Sequence, residues 1–444
     1  MPGVPPHAGR GIRNPGKVCT PVYLSTIRRP KPDTGTGEAG RRRWEAVGTN
    51  VFALGTVSLV TDISSEMVTA ILPLYLIIGL QLSPAAYGVV DGAYTGATVL
   101  LRLVGGYLAD RVRRRKAVAG FGYGLSAVAK LGLLAAGGSV GAIGLAITAD
   151  RAGKGLRTAP RDALITLSTP PAQLGRAFGV HRTMDSVGAF LGPLVALAVL
   201  AVAGQRYDAV FVTSFCVAAF GVVILVLFVR DRRGPVPPAG AVSPRQAAGL
   251  LRIAGVRRIL LAAGLLGLAT IGDGFVYLLL RDREDLATVW FPLMAVGTSL
   301  AYLLLAAPLG ALADRIGRLP VTLGGYGALV LVYLAILGPV GGWPLIVAVL
   351  ALYGIFYAAT DGVLMALAAP LMPERLRTTG LALVQTGQAV TYVGSSVLFG
   401  AAWQFWGPTA ACALAALAGV IAIIATAALL YGVNRPAGAV EATS

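Results

Sequence analysis

The sequence predicts an all-α integral membrane protein made of two six-helix bundles related by pseudo-two-fold symmetry, with about twelve transmembrane helices. Of its 444 residues, 56% are hydrophobic and only 13% are charged, and the mean hydropathy is +0.74, which is more apolar surface than a soluble domain can cover. Apolar runs of roughly 20 residues, each long enough to cross about 30 Å of hydrocarbon as a helix, recur along nearly the whole chain after residue 46. One short motif also occurs twice, about half a chain apart, which indicates that a large unit was duplicated.

The chain divides into a tail, a bundle, a linker, a second bundle and a second tail. Residues 1–45 are rich in Pro, Gly, Arg and Lys and lack an apolar period, which is typical of a disordered basic cytoplasmic tail. The N-terminal six-helix bundle is predicted at 46–230, a cytoplasmic linker at 231–256, the C-terminal six-helix bundle at 257–433 and a cytoplasmic tail at 434–444. The predicted helices are 47–80, 85–109, 117–137, 141–167, 175–203, 208–230, 257–281, 287–313, 319–338, 344–371, 377–404 and 408–432.

Basic residues gather in the short connections that follow the even-numbered helices. The other connections hold few cations, with Arg206 and the mixed stretch from Arg281 to Asp285 as exceptions. Both termini are therefore expected on the cytoplasmic side of a bacterial inner membrane. The same placement explains the net charge of +17 as a topology signal, so we expect the lipid bilayer and no nucleic acid as a partner. We expect a monomer.

No group of residues in the sequence favours enzymatic chemistry. The three cysteines are odd in number and far apart, which argues against a disulfide framework or a thiolate metal site. The chain has no loop of the form Gly-x-x-x-x-Gly-Lys-Ser/Thr, so ATP is not expected to drive it. We therefore predict that the protein is not an enzyme, has no cofactor and no metal, and uses a gradient as its energy source.

The repeated motif lies where an apolar helix runs into a turn and a basic cluster. It reads LVGGYLADRVRRRK at 103–116 and LGALADRIGRLP at 309–320, so that Gly106, Asp110 and Arg111 recur as Gly310, Asp314 and Arg315. The glycine lets a neighbouring helix approach, and the aspartate can pair with cations or a helix N-terminus on the cytoplasmic side. The motif is therefore predicted to gate one conformational state. In the alternative interpretation, the basic cluster is only a topology signal.

These residues resemble the major facilitator superfamily of secondary transporters over essentially all of 46–432. GYLADRVRRRK matches the family's loop motif, Gly-x-Leu-Ala-Asp-Arg-x-Gly-Arg-Arg/Lys, except at Arg113. RAGKGLRTA at 151–159 is similar to the fourth-helix motif, and GAFLGP at 188–193 is similar to the fifth-helix motif associated with antiporters, without its final glycines. The resemblance implies a transporter that moves a small-molecule substrate by alternating access. It also adds Gly188, Gly192 and Pro193 to the gating residues.

Two acids in the first helix are the leading candidates for proton coupling. Asp62 and Glu66 lie one turn apart on one face, and Pro73, two turns further on, is expected to bend or break the helix. Carboxylates are expensive inside a membrane, and a close pair cannot easily hold two charges there, so one of them can bind and release a proton. The alternative is that one of them only forms an ion pair or a helix cap.

The fourth helix carries a stripe of charge. Asp150, Lys154, Arg157 and Arg161 follow one another at spacings of four, three and four, and Arg151 lies at the edge of the stripe. This spacing predicts one polar face inside the first bundle, where charges usually meet a cavity or one another.

The fifth helix and its neighbours add more titratable groups. Because the intrinsic pKa of histidine lies near physiological pH, His181 could relay protons, or it could be a neutral buried histidine bonded to Asp185. Arg182, together with Arg102 and Lys130 near the middle of their helices, adds to an excess of cations in this half. These cations are either neutralised internally or available to an anionic or zwitterionic substrate.

The second half holds fewer charges. Asp273 and Asp361 are its isolated intramembrane acids, and Asp273 follows Asp62 at nearly the repeat offset. Tyrosine and glutamine side chains in this half end in polar groups that could line a central cavity or form hydrogen bonds between helices. These residues are Tyr277, Tyr357, Gln385, Gln388 and Tyr392.

From these features we predict a proton-coupled antiporter that exports a small organic compound. An uptake symporter for an anionic or zwitterionic metabolite and a non-transporting membrane sensor or scaffold remain as alternatives. The predicted proton-coupling residues are Asp62, Glu66, Asp150, Arg151, His181, Asp185, Asp273 and Asp361. The predicted substrate-binding residues are Arg102, Lys130, Lys154, Arg157, Arg182, Tyr277, Tyr357, Gln385 and Gln388. The predicted gating residues are Gly106, Asp110, Arg111, Gly188, Gly192, Pro193, Gly310, Asp314 and Arg315.

Overall fold

The computed structural model describes residues 48–112, 114–170, 173–231, 249–373 and 376–431. In this part of the chain every regular element is a helix. The predicted tails and most of the predicted linker lie outside the described residues. The side chains of 99, 100, 102–112 and 377–379 also lie outside them, although the backbone there is helical.

Six helices form the N-terminal half: α1 Thr49–Leu74, α2 Pro84–Val112, α3 Arg115–Ala135, α4 Val140–Leu167, α5 Leu174–Val202 and α6 Tyr207–Phe228. The first span does not break at Pro73. It continues beyond α1 as a π-helix, Tyr75–Gly79, because a proline cannot donate to the α-helical ladder and the helix widens after it.

The C-terminal half begins with α7 Ala254–Leu268 and α8 Asp273–Glu284, which together form the seventh span. It continues with a 3-10 turn Thr288–Trp290, α9 Phe291–Ile316, α10 Arg318–Leu337, α11 Trp343–Thr360, α12 Val363–Ala368, a 3-10 turn Ala369–Leu371 and α13 Arg377–Leu430. α11 and α12 form the tenth span. Gly407, with φ 84°, divides α13 into the eleventh and twelfth spans.

Nine helices of the described part are long and apolar enough to cross a membrane, judged by length and composition alone. α13 counts once among them but crosses twice. α2 and α4 are not among them, and α4 carries the charged stripe. Leu145, Val202 and Phe405 are exposed on outer faces, as expected for surfaces that contact lipid. The predicted fold class of two six-helix bundles with about twelve spans is confirmed, whereas the predicted domain boundaries stay predictions.

The seventh span is broken, although the sequence predicts one continuous helix. Side chains from distant spans satisfy the backbone between α7 and α8. The N–H of Ile271 donates to the Tyr333 hydroxyl at 3.2 Å, and the Tyr353 hydroxyl donates to the Ile271 carbonyl at 2.9 Å. The Ser395 hydroxyl donates to the Thr270 carbonyl at 2.7 Å. Non-helical backbone at membrane depth is tolerated only with such partners, so these contacts stabilise the break.

The tenth span is also broken, where the sequence again predicts a continuous helix. Asp361 follows the end of α11, and Gly362 has φ 76°, a left-handed conformation that favours glycine. Arg318 of α10 donates to the carbonyl of Ala366 at 2.6 Å and so ties α10 to α12. Each break therefore presents an acid near the middle of its span, Asp273 in the seventh and Asp361 in the tenth.

The two bundles are joined at one end and separate at the other. We call the end at which α1 begins and α13 finishes the terminal end, and the opposite one the far end. At the far end a single hydrophobic core runs through both bundles, where the Phe275 ring contacts those of Tyr87 and Phe399 at centroid distances of 4.7 and 4.8 Å. At the terminal end each bundle has its own core, one around Leu54 and one around Val256.

Helices α2 and α13 touch through their backbones at the far end. A Cβ added at Gly88 would lie 2.4 Å from the Ser396 carbonyl oxygen, and one added at Gly400 would lie 2.4 Å from the Pro84 carbonyl oxygen. Only glycine permits this approach. The two bundles are thus held closely together at the end where they share a core.

Candidate functional site

Polar side chains of α1 and α4 face each other in pairs. On α1 they are four residues apart, and on α4 they belong to the predicted charged stripe, so each set lies on one helical face. The two helices run in opposite directions, and the residues therefore pair in reverse order. Arg161 Nη1 donates to Ser58 Oγ at 3.2 Å, Arg157 Nη2 to Asp62 Oδ1 at 3.1 Å, and Lys154 Nζ lies 3.5 Å from Glu66 Oε1. We call these three pairs the α1–α4 ladder.

Burial changes along the α1–α4 ladder. The side chains of Arg157 and Asp62 are 3% and 12% exposed, whereas those of Lys154 and Glu66 are 30% and 25% exposed. The Arg157 guanidinium also lies over the Tyr123 ring, 4.5 Å from its centroid, which stabilises a desolvated cation. The middle pair is therefore locked in protein, and the Lys154–Glu66 pair is open to exchange with solvent or ligand.

A second buried cluster continues the stripe of α4 towards α3. Asp150 accepts from Lys130 Nζ at 2.9 Å and from Arg151 Nη2 at 2.5 Å, and its Oδ1 also accepts from Ser126. The Arg151 guanidinium lies 3.9 Å from the centroid of the Tyr94 ring. One carboxylate is thus shared by two buried cations.

Helix α5 contributes to the same network. His181 is buried, and its Nε2 lies 2.9 Å from Ser58 Oγ, so its hydrogen bond reaches α1. The interpretation that pairs His181 with Asp185 is corrected by this contact. Asp185 Oδ1 instead lies 3.8 Å from Arg161 Nη1, and its carboxyl group interacts with that of Asp62.

The charges of this network balance. Within the described part of the chain, five cations of α3 and α4 have an acid partner in their own bundle. The cations are Lys130, Arg151, Lys154, Arg157 and Arg161, and the acids are Asp62, Glu66, Asp150, Asp162 and Asp185. The geometry is that of internal neutralisation, and a role of these cations in substrate binding stays a prediction.

A cavity of about 290 Å³ lies between the two bundles. α1 and α5 line it from the N-terminal bundle, and α8, α9 and the end of α11 line it from the C-terminal bundle. Its charged lining residues are Glu66, Asp273 and Asp361, which are all acids. The cavity lies at the level of the two broken spans, where discontinuous helices of membrane transporters bind their ligands.

Aromatic side chains form much of the cavity wall. Tyr277 and Tyr357, both predicted from the sequence, line the cavity together with Tyr302 and Phe291. Gln385 and Gln388 are not among the lining residues of the described chain; Gln385 is exposed, and Gln388 Nε2 lies 3.4 Å from the Tyr326 hydroxyl.

Asp91 is a functional candidate that the sequence reasoning missed. Its Oδ2 accepts from the Tyr392 hydroxyl at 2.9 Å and from Ser396 Oγ at 2.7 Å, so this carboxylate of α2 binds α13 of the other bundle. No ion pair reaches it from the described residues. A lone acid in the apolar run of α2 was the available signal, because such acids are rarely kept in a membrane without a role.

The predicted gating residues fall into three groups. A Cβ at Gly188 would lie 2.5 Å from the Leu59 carbonyl oxygen and one at Gly192 would lie 2.6 Å from Glu66 Cβ, so α5 packs closely on α1, and Pro193 lines the cavity. In the second copy of the motif, a Cβ added at Gly310 would meet no atom within 4 Å, and the side chains of Asp314 and Arg315 are exposed. The side chains of the first copy, Gly106, Asp110 and Arg111, lie outside the described ones, as does that of Arg102.

Comparison with known proteins identifies the family. A family model described as Major Facilitator Superfamily matches residues 54–298 and 289–443. An uncharacterised MFS-type transporter of Methanocaldococcus jannaschii is 31% identical over 363 residues, which are 80% of this chain and 88% of that protein. An uncharacterised protein of Mycobacterium tuberculosis is 36% identical over 157 residues, which are 35% of this chain and 38% of its own length.

Solved structures share the fold at low sequence identity. A mutant of the nucleoside transporter NupG superposes with a TM-score of 0.73 at 15% identity, over 85% of this chain and 99% of that one. A POT family transporter in complex with 5-aminolevulinic acid superposes with a TM-score of 0.70 at 14% identity, over 86% of this chain and 96% of that one.

Proposed function

The chain belongs to the Major Facilitator Superfamily, and on this premise we propose that it is a proton-coupled antiporter that exports a small organic compound by alternating access. Its family makes it a secondary transporter that crosses the membrane many times. One observation supports proton-coupled export in particular. Glu66 lines the cavity and also forms the last pair of the α1–α4 ladder with Lys154.

Antiport of this kind requires a group that binds either a proton or the substrate, but not both at the same time. When Glu66 is ionised, it holds Lys154 at 3.5 Å and can accept donor groups of a substrate in the cavity. When it is protonated, it loses its attraction for both. Competition at one carboxylate therefore couples release of the substrate to uptake of a proton.

A path for the proton continues from Glu66 towards the terminal end. Asp62 and Asp185 influence each other electrostatically, and two neighbouring carboxyl groups can share one proton. Beyond them, Ser58 and His181 are hydrogen-bonded at 2.9 Å. These groups follow one another along α1 and α5 from the cavity towards the terminal end, and this order supports the proposed proton path.

The closed end fits the step at which an exporter loads, a conformation that an importer also adopts to release its substrate, and the cavity wall argues against uptake of an anion. The bundles share a core at the far end and have separate cores at the terminal end. If the basic connections place the termini in the cytoplasm, this conformation receives its substrate from the cytoplasm, where an exporter loads. An uptake symporter for an anion would need cations on the cavity wall, and the described lining has none.

The proposal is tested in inverted membrane vesicles that respiration has acidified. A library of small cations, anions and neutral compounds is added, and a pH-sensitive dye reports proton efflux from the lumen. We expect some compounds to drive efflux through the wild type. Glu66→Gln keeps the shape of the side chain but cannot exchange a proton, so it should abolish this efflux.

The matched control is Asp162→Asn, which removes a carboxylate of α4 whose side chain is 36% exposed and lies off the cavity. This variant should drive proton efflux at the wild-type rate. The proposal is wrong if Glu66→Gln and Asp62→Asn both exchange protons normally. It is also wrong if compounds cross the membrane at the same rate with and without a proton gradient.

A further inference from the structure

We infer that the cavity binds an organic cation, held by the acids of the two broken spans and by the aromatic wall. The inference rests on the proposed function and names its substrate class. It reverses the sequence-based alternative, in which surplus cations of the first bundle receive an anion. Lys130, Arg151 and Arg157 are buried and paired with acids of their own bundle, Lys154 is paired with Glu66, and none of these four cations lines the cavity.

The charge of the cavity wall is the first argument. Glu66, Asp273 and Asp361 are its charged residues, and only Glu66 has an ion-pair partner among the described residues. Asp273 and Asp361 of the C-terminal bundle therefore have no cation partner among the described residues. A carboxylate without a counter-charge at membrane depth is unfavourable, and a positively charged ligand supplies what the protein does not.

Asp361 occupies the position that favours a cation most. It directly follows the C-terminus of α11, where the helix dipole adds negative potential, and it accepts a hydrogen bond from the Tyr302 hydroxyl at 3.0 Å. Its side chain is exposed to the cavity rather than covered by protein. Arg182 of α5 influences Tyr302 electrostatically but forms no ion pair with Asp361 within the described chain.

Asp273 lies at the second break with further acids around it. Glu66 and Asp91 both act on it electrostatically, and it accepts a hydrogen bond from the neighbouring Gly274 N–H at 2.9 Å. The helix dipole of α8 offsets part of its charge, because Asp273 begins that helix. The rest of the negative charge of Asp273 faces the cavity, which this residue lines.

The aromatic wall is the second argument. Tyr277, Tyr302, Tyr357 and Phe291 all line the cavity. The faces of aromatic rings attract cations, most strongly where water is excluded, and cages of this kind recognise alkylammonium groups. Carboxylates alone would also suit a hydrated metal ion, but an aromatic wall selects a cation with an apolar body.

The size of the cavity limits the ligand. A volume of about 290 Å³ falls at the lower end of small-molecule pockets, which span roughly 300–1,000 Å³. A compact amine or quaternary ammonium compound with one ring fits this space, and a peptide or an extended lipid does not.

The test is equilibrium binding to the full-length protein in nanodiscs, measured by calorimetry. The probes are benzyltrimethylammonium, the anion 3-phenylpropionate and neutral benzyl alcohol, which share a phenyl ring and differ in charge. We expect binding of the cation alone. Asp361→Asn should weaken it about 10- to 100-fold, the value of one charge-assisted contact, and Asp162→Asn should leave it unchanged.

The aromatic wall is tested with a pair of substitutions at one position. Tyr357→Phe keeps the ring and should bind benzyltrimethylammonium as the wild type does. Tyr357→Leu removes the ring and should weaken binding about 2- to 30-fold. Because Tyr357→Phe removes the same hydroxyl, a loss seen only with leucine cannot come from a missing hydrogen bond.

The outcomes separate this inference from the proposed function. Preferential binding of 3-phenylpropionate, or equal binding of the cation by wild type and Asp361→Asn, overturns the cation site even if proton exchange occurs with other compounds. Binding of the cation that depends on Asp361, together with no proton efflux in vesicles, upholds the site and refutes the antiport.

Discussion

The carboxylate of Asp150 should be among the most costly to remove in the protein. It accepts from Lys130 at 2.9 Å and from Arg151 at 2.5 Å, and the three side chains are 12%, 2% and 4% exposed. Asp150→Asn keeps the size of the side chain but leaves two buried cations with no counter-charge. Removing one partner of a buried ion pair costs about 3–5 kcal/mol, and here one acid serves two cations, so we expect the upper part of this range.

Thermal unfolding of the purified protein in detergent, followed by tryptophan fluorescence, measures this effect as a lower apparent melting temperature. The matched control is Asp162→Asn on the same helix, where the carboxylate is 36% exposed and its contact with Arg161 is worth about 1 kcal/mol or less. The double variant Lys130→Met with Asp150→Asn should melt above Asp150→Asn alone, since it removes one of the two stranded cations. Equal melting of Asp150→Asn and Asp162→Asn would refute the reasoning.

Two further predictions concern glycines. A Cβ at Gly153 would lie 2.5 Å from a backbone oxygen of α3, so Gly153→Ala should lower stability by about 1–3 kcal/mol in the same unfolding assay, whereas Gly144→Ala on the same helix meets open space and should not. Gly88→Val should force α2 away from α13 at the far end, since a Cβ there already lies 2.4 Å from a backbone oxygen. A cysteine placed at Ser299 in the cavity wall should then react faster with a membrane-impermeant maleimide added from the far side, and an unchanged rate would contradict the closed end.

The sequence reveals the charged stripes but not their partners. Spacings of three and four residues place Lys154, Arg157 and Arg161 on one face of α4 without a structure. Which acid each cation meets depends on the opposite direction of α1 and on the close packing of α5, which Gly188 permits. For this reason the stripe could be predicted, while its complete neutralisation could not.

The hydropathy of the sequence predicts continuous seventh and tenth helices and does not reveal that both are broken. The stretch around Thr270 remains apolar, so hydropathy does not end the seventh helix before Asp273, and the local signal is limited to Gly272 and Gly274 on either side of the acid. The break exists because Tyr333 and Tyr353, far along the chain, bind the freed backbone groups of Ile271. Long-range hydrogen bonds of this kind leave no periodic signal in the sequence. Asp273 therefore begins a helix, whereas Asp62, the acid at nearly the matching repeat position, lies inside one.

The distribution of charge between the bundles suggests how the two tasks of a coupled transporter are divided. The N-terminal bundle satisfies its own charges and is therefore suited to move as one body that carries a proton site. In the C-terminal bundle, Asp273 and Asp361 form no ion pair with any residue that the structure describes, so this bundle is suited to recognise a ligand. Glu66 belongs to the first bundle and faces the acids of the second across the cavity. A ligand cation that spans this gap draws the bundles together, and a proton on Glu66 removes that attraction, so one carboxylate can link occupancy of the cavity to movement between the bundles.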